Sequence, residues 1–265
     1  MPKPWRIFPH DSAQVAAIAR AAGVPSILAQ LLHSRGLRDA QAIRSFLESR
    51  LSDLRDPAEL PGVEAAAERL MQAVEAGRKI VIYGDYDVDG MSGAALLLLC
   101  LRMLAAEVSV HLPNRLDEGY GLHSQSLRQL AQRGAQVVVT VDCGIASVHE
   151  AQTASELGLE LIITDHHEFG AELPRAAVLV HPRLPGTNYP FAGLCGAGVA
   201  FKLAWALCQR ASQSKKVGER MRQFLMQALG LASLGTVADV VPLIDENRVL
   251  VRHGLMALKE RPTRG

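Results

Sequence analysis

The chain has 265 residues, 49% hydrophobic and 21% charged, and its 28 Lys+Arg against 27 Asp+Glu leave a net charge of +1. These proportions exclude a disordered or fibrous chain, and the length suffices for one large domain or two small ones. The longest apolar run, Ala94–Leu101, is far short of the ~20 residues of a membrane span, and residues 1–9 carry no apolar signal core, so a cytoplasmic protein is expected.

Residues 10–76 read as helical. Asp11-Ser12 caps a run that Gly23-Val24-Pro25 ends, Ser26 caps the next, and Asp39 starts a third carrying Ile43, Phe46 and Leu47. Asp56-Pro57 and Leu60-Pro61-Gly62 break the chain before a helix at about 63–76. No chemical constellation appears here, and residues 1–76 are expected to form a helical cap on the main domain over 77–265.

From Lys79 the pattern changes to short β-branched runs alternating with helical stretches. The runs are Ile80–Tyr83, Val108–Leu112, Val137–Val141, Leu161–Thr164 and Val178–Val180, with helices expected at about 91–105, 123–133 and 145–157. This alternation predicts an α/β fold, a mostly parallel sheet flanked by helices. After Gly196 the signal is helical again (197–211 and 217–234), then a loop carries Asp239 and a last helix begins near Glu246. Cys100, Cys143, Cys195 and Cys208 form no C-x-x-C pair and read as small buried residues of a reducing compartment.

The chemistry concentrates after three strands. Gly84-Asp85-Tyr86-Asp87-Val88-Asp89-Gly90 places three carboxylates in six residues, a cluster that repels itself unless a cation neutralises it. An EF-hand is excluded, because the twelfth loop position is Leu96 and a strand precedes the loop. Val137–Val141 runs into Asp142-Cys143-Gly144, and Leu161–Thr164 into Asp165-His166-His167. Parallel strands end at one edge of the sheet, so these groups converge although roughly 80 residues separate the first from the last. Carboxylates with imidazole and no thiolate suit Mn2+ or Mg2+, and four or more acids suffice for two ions ~3.5–4 Å apart. Asp239, in the apolar stretch Gly235–Pro242, either completes the ligand set or caps the following segment.

Taken in order, D-x-D-x-D-G, VDCG, DHH and GTVADVVPL resemble the DHH phosphoesterase superfamily. Asn114-Arg115, Glu118-Gly119-Tyr120-Gly121-Leu122 and Leu194–Lys202, with Trp5 and Asp56-Pro57, resemble its RecJ branch of single-strand-specific 5′→3′ exonucleases, which act in DNA repair and recombination. The resemblance implies that Asp87, Asp89, Asp142, His166 and Asp239 are metal ligands, Asp142 bridging. It also implies that Asp85 is an outer acid with a catalytic part and that His167 faces the phosphate. Tyr83 departs from the pattern, because relatives often carry a ligating His there, and one ion is expected to be held less firmly. A smaller substrate-binding domain and an oligonucleotide-binding module are implied beyond the catalytic domain. The sequence ends at Gly265 without them, as a truncated chain, a fragmentary gene or half of a split enzyme would.

Substrate contacts are sparse. Arg115 is either a phosphate ligand or a plain surface arginine, and Tyr120 either stacks on a base or packs in a turn. Lys202, Arg210, Lys215, Lys216, Arg220 and Arg222, against Glu219 alone, form a local basic stretch that either follows a phosphate backbone or is a solvated helical face. The expected activity is metal-dependent hydrolysis of single-stranded DNA to mononucleotides by a monomer, with a single-strand-binding protein or helicase as possible partner. The alternatives are another DHH hydrolase, acting on short oligonucleotides, cyclic dinucleotides or pyrophosphate, and a non-catalytic scaffold.

Overall fold

A computed structural model describes residues 11–116 and 119–260. Trp5 and Glu118, which carry part of the resemblance, lie outside the described residues. The chain divides into two compact units, Met1–Asp53 and Leu54–Gly265. In the first, helices α1 (Ser12–Ala22), α2 (Ser26–Ser34) and α3 (Ala40–Glu48) enclose a small core of Val15, Ile18, Ala29, Leu32 and Ile43. Asp11 and Asp39 cap α1 and α3 by accepting backbone N–H bonds. Ser26 is not a cap; α2 begins with it, directly after Pro25, whose fixed φ suits the residue before a helix.

The second unit holds α4 (Val63–Glu75), β1 (Ile80–Gly84), α5 (Val88–Met103), β2 (Val108–His111), α6 (Ser124–Gln132) and β3 (Val137–Val141). It continues with α7 (Val148–Glu156), β4 (Glu160–Thr164), β5 (Val178–Val180), α8 (Gly196–Ala211), α9 (Glu219–Ala238) and α10 (Asp245–Glu260). The helical region expected over 1–76 is therefore divided. Residues 54–76 pack with the sheet, where α4 lies against β5 and α8.

All five strands are parallel, in the order β2-β1-β3-β4-β5. β1 and β3 are buried along their whole length, as runs such as Ile-Val-Ile and Val-Val-Val require when helices cover both faces. Helices α6 and α7 enclose one face with Leu127, Leu130, Ala151 and Ala154, while α5 and α8 cover the other. From β1 the chain steps to one side to form β2 and then to the other to form β3. That reversal between β1 and β3 opens a crevice at their carboxyl ends, the place where α/β sheets bind ligands. No single helix among the described residues is long and apolar enough to cross a membrane.

Behind the crevice a buried ion pair ties α8 to α10. Lys202 Nζ donates to Glu246 Oε1 at 2.5 Å and to the Arg55 carbonyl at 2.7 Å, and the Tyr189 hydroxyl donates to the other Glu246 oxygen. Burial pushes the Lys202 ammonium below its ordinary range, and its pairing with Glu246 works against that shift. Removing one partner alone would leave an uncompensated buried charge.

Candidate metal centre

The acid motif spans the turn from β1 into α5. The helix begins at Val88, earlier than the expected 91, because Asp87 caps it, its Oδ1 accepting from Gly90 N at 2.9 Å. Asp89 consequently sits on the first helical turn and points inward, 1% exposed. Its two oxygens accept from Gly196 N at 2.6 Å and Ala197 N at 2.9 Å, the first amides of α8. The N-terminal end of that helix thus holds the carboxylate in place.

Asp142 leaves β3 in the left-handed region, φ 67°, a conformation that Asp tolerates better than most residues. Its N–H stays paired with the Thr164 carbonyl at 3.1 Å, and Thr140 Oγ1 donates to the Cys143 carbonyl at 2.7 Å, so the turn is latched to both strands. At the end of β4, Asp165 turns back on its own chain. Its Oδ1 accepts from the amides of His166 (2.7 Å) and His167 (3.1 Å) and from His167 Nδ1 (2.8 Å), and its Oδ2 from Ile145 N (2.9 Å). Burial works to raise its pKa, but the bonds from His167 and the backbone prevail and hold it below the ordinary carboxylate range.

Asp239 arrives by a route different from the expected loop. Helix α9 continues through Gly235 to Ala238, and Asp239 is its C-cap. The missing side chain of Gly235 is what lets α9 approach, since a Cβ there would stand 2.3 Å from Asp89 Oδ1. His166 Nε2 then lies among three carboxylates, 3.0 Å from Asp142 Oδ1 and 3.7 Å from both Asp89 Oδ2 and Asp239 Oδ2. Three groups of potential ligand atoms form around this point: Asp89, His166 and Asp239 on one side, Asp85, Asp87 and Asp142 on the other, and Asp142, His166 and His167 joining them.

Without a counter-charge these groups are strained electrostatically. Burial, then the Asp89 charge, pushes the Asp142 carboxyl up to about 10, and burial also raises Asp85 and Asp239. His166 is pushed down by burial and by its neighbour His167, which keeps it neutral as a ligand must be. His167 goes the other way, up to about 9, because Asp165 accepts from its ring. Asp85 Oδ1, Asp142 Oδ1 and His166 Nε2 are buried and make no hydrogen bond. Orphaned acceptors of this kind facing one another fit a hard divalent cation.

The other expected residues are distributed around this cluster. Tyr120 is tied to it: its hydroxyl lies 3.1 Å from His167 Nδ1 and donates to the Asp142 carbonyl at 3.4 Å, while half the residue stays exposed. Arg115 is exposed and places its guanidinium 5.3 Å from the centre of the Tyr86 ring, beside the acid motif. Tyr83 does not stand in for a ligand. Its ring is buried against His111 and its hydroxyl donates to the Gly121 carbonyl, while Asp85 takes the third place beside Asp87 and Asp142. The basic stretch is largely neutralised: Lys202 is paired with Glu246, Lys215 with Asp56 and Arg222 with Glu219, and Arg210 lies 3.7 Å from Glu64.

Sequence reasoning did not assign parts to Asp165, Tyr86 or the Gly196–Ala197 amides. Asp165 was visible as the first letter of its motif, but its inward turn depends on the loop geometry. The glycines of Leu194–Lys202 were visible only as a pattern.

A parallel sheet whose switch point gathers five carboxylates and two imidazoles defines a domain suited to binding divalent cations at its carboxyl edge. The chain belongs to the DHH family, whose N-terminal domain model matches residues 79–236. It is 44% identical over 255 residues to the single-stranded-DNA-specific exonuclease RecJ of Bacillus subtilis, covering 96% of this chain and 31% of that protein. To the RecJ of Escherichia coli it is 39% identical, covering 90% of this chain and 41% of the relative. The crystal structure of RecJ from Thermus thermophilus in complex with Mn2+ superimposes with a TM-score of 0.74 at 33% identity, covering 92% of this chain and 33% of that one. The chain thus spans about a third to two fifths of the length of these curated relatives.

Proposed function

We propose that this chain is the catalytic part of a metal-dependent phosphodiesterase that digests single-stranded DNA from its 5′ end to mononucleotides, in DNA repair and recombination. The observation that carries the reading is the pair of ligand groups joined at His166–Asp142, with orphaned buried acceptors facing inward. The names of the RecJ relatives support the substrate, and the motif order supports the polarity.

Asp89, His166 and Asp239 would hold one cation, and Asp85, Asp87 and Asp142 a second. Asp85, the outer acid of its motif with a catalytic part, is also close enough to Asp87 and Asp142 to share a cation with them. Mn2+ or Mg2+ held there would activate a water and neutralise charge on the phosphoryl oxygens. His167, its ring held by Asp165, faces the phosphate and donates to one of its oxygens. Arg115 binds a flanking phosphate, and Tyr120, its hydroxyl fixed on His167, offers its exposed ring to a base. Duplex DNA has no free strand, so a helicase or single-strand-binding protein supplies the substrate to a monomeric enzyme.

The test is hydrolysis of 5′- and 3′-labelled single strands and of dinucleotides with saturating Mn2+, for the wild type and Asp142→Ala. Mononucleotides released from the 5′ end by the wild type alone are expected. Preference for dinucleotides would point to another DHH hydrolase, and no hydrolysis to a scaffold.

A further inference from the structure

We propose that His181 and Arg183, in the His181-Pro182-Arg183 segment after β5, are positioning residues that aim the two imidazoles of the cation site. The inference rests on the metal reading above. β5 pairs in parallel with β4, Thr164 against Val180, and Asp165 N continues the ladder to the Val180 carbonyl at 3.1 Å. The register therefore sets residues 181–183 alongside 165–167. His181 is fully buried there, its ring edge-on to Phe169 with centroids 5.3 Å apart.

The hydrogen bonds fix both the tautomer of His181 and its effect. Arg183 N donates to His181 Nδ1 at 3.0 Å, so Nδ1 is an acceptor and the ring proton sits on Nε2. Nε2 then donates to the His167 carbonyl at 2.9 Å. The Arg183 guanidinium donates through Nη2 to the His166 carbonyl at 2.5 Å and pairs through Nη1 with Glu168. On the opposite edge Asp165 accepts the amides of His166 and His167. Both amides and both carbonyls of the pair are thus held, one edge by Asp165 and the other by His181 and Arg183. With the peptide planes fixed, both Cα–Cβ bonds keep their direction toward the cluster, from which His166 Nε2 reaches its three carboxylates. Partners behind a metal ligand commonly change affinity or activity about 10–100-fold when removed.

The experiment uses the 265-residue chain as wild type, His181→Leu, His181→Asn and Arg183→Lys. Mn2+ binding is measured by calorimetry, kcat and KM on single-stranded DNA by steady-state assay, and histidine tautomers by long-range 1H–15N NMR of metal-free protein. We expect the wild-type His181 proton on Nε2. In His181→Leu, Mn2+ affinity and kcat should fall about tenfold with KM nearly unchanged, and the His166 and His167 ring signals should shift without metal. His181→Asn should recover most of the loss, since its amide can accept from Arg183 N at the same i to i+2 spacing and still offer a donor. Arg183→Lys, which keeps the charge and loses the fork, should show a smaller loss of the same kind and serves if His181→Leu does not fold. A proton on Nδ1 of His181 overturns the proposal. So do folded His181→Leu and Arg183→Lys variants with wild-type Mn2+ affinity and unmoved His166 and His167 signals. A wild type that binds no Mn2+ defeats the metal reading instead, and the tautomer and ring signals then decide the positioning on their own.

Discussion

Gly196 lies against Asp142 with no room for a side chain: a Cβ at residue 196 would come within 2.4 Å of Asp142 Cβ and 2.5 Å of its Oδ1. The same residue gives its amide to Asp89 at 2.6 Å, so one glycine sets the approach of α8 to two acids of the centre. Gly196→Ala should therefore displace a carboxylate. Overpacking of this kind costs about 1–3 kcal/mol, and the larger effect should fall on Mn2+ affinity, weakened by roughly tenfold or more through the displaced acids. Calorimetry and thermal melts of the variant with chelator check this; unchanged affinity would show that the acids have slack.

The two adjacent histidines should separate in function. His166 is 12% exposed in its side chain and stands among three carboxylates, whereas His167 is 41% exposed and held by Asp165 and Tyr120. His166→Ala should weaken Mn2+ about tenfold or more. His167→Ala should keep that affinity and lower kcat by about 10²–10⁴-fold, the range for loss of a positioned proton donor. Metal titration and turnover on both variants are the measurement, and equal losses of affinity would refute the division.

Stability of the metal-free protein should fall as pH rises. The Asp142 carboxyl is held at about 10, far above its ordinary value, and His167 at about 9. Between about pH 7 and 9 the folded state therefore binds more protons than the unfolded chain, and unfolding becomes easier by at most about 1.4 kcal/mol per pH unit for each such proton. His166 shifts the opposite way, but its effect is confined to pH values below its ordinary one. Cation binding needs deprotonated carboxylates, so the gain in Tm on adding Mg2+ should grow across the same interval. Melts with EDTA and with Mg2+ from about pH 6 to 9.5 test the sign; a Tm gain independent of pH would contradict it.

Binding of this 265-residue chain to single strands should depend weakly on salt. Four cations of the basic stretch, Lys202, Arg210, Lys215 and Arg222, face carboxylates, which leaves Lys216 and Arg220 of that stretch and Arg115 beside the centre for phosphate contact. With a slope of about −0.7 per phosphate on single strands, log K against log salt should run near about −1 to −2. Fluorescence anisotropy with labelled oligonucleotides between roughly 50 and 300 mM salt measures it, and a slope steeper than about −4 would mean that the ion pairs open onto DNA.

The sequence by itself determined the strands, their parallel sense and the convergence of Asp85, Asp87, Asp89, Asp142, His166 and His167. Period and strand ends are local properties, and parallel strands with helical crossovers must share one carboxyl edge. What it could not determine were the contacts made at a distance. The helix expected to end at 234 runs on through Gly235, whose missing side chain leaves room for Asp89, far away in the chain. Lys202 reads as either a phosphate contact or part of a solvated face, and Tyr83 as a poor substitute for a ligating His, yet one is buried against Glu246 and the other in the core. A residue's type states what it can bind, whereas burial and the charge opposite it decide what it does bind, and both are set only when α8, α9 and the sheet close together.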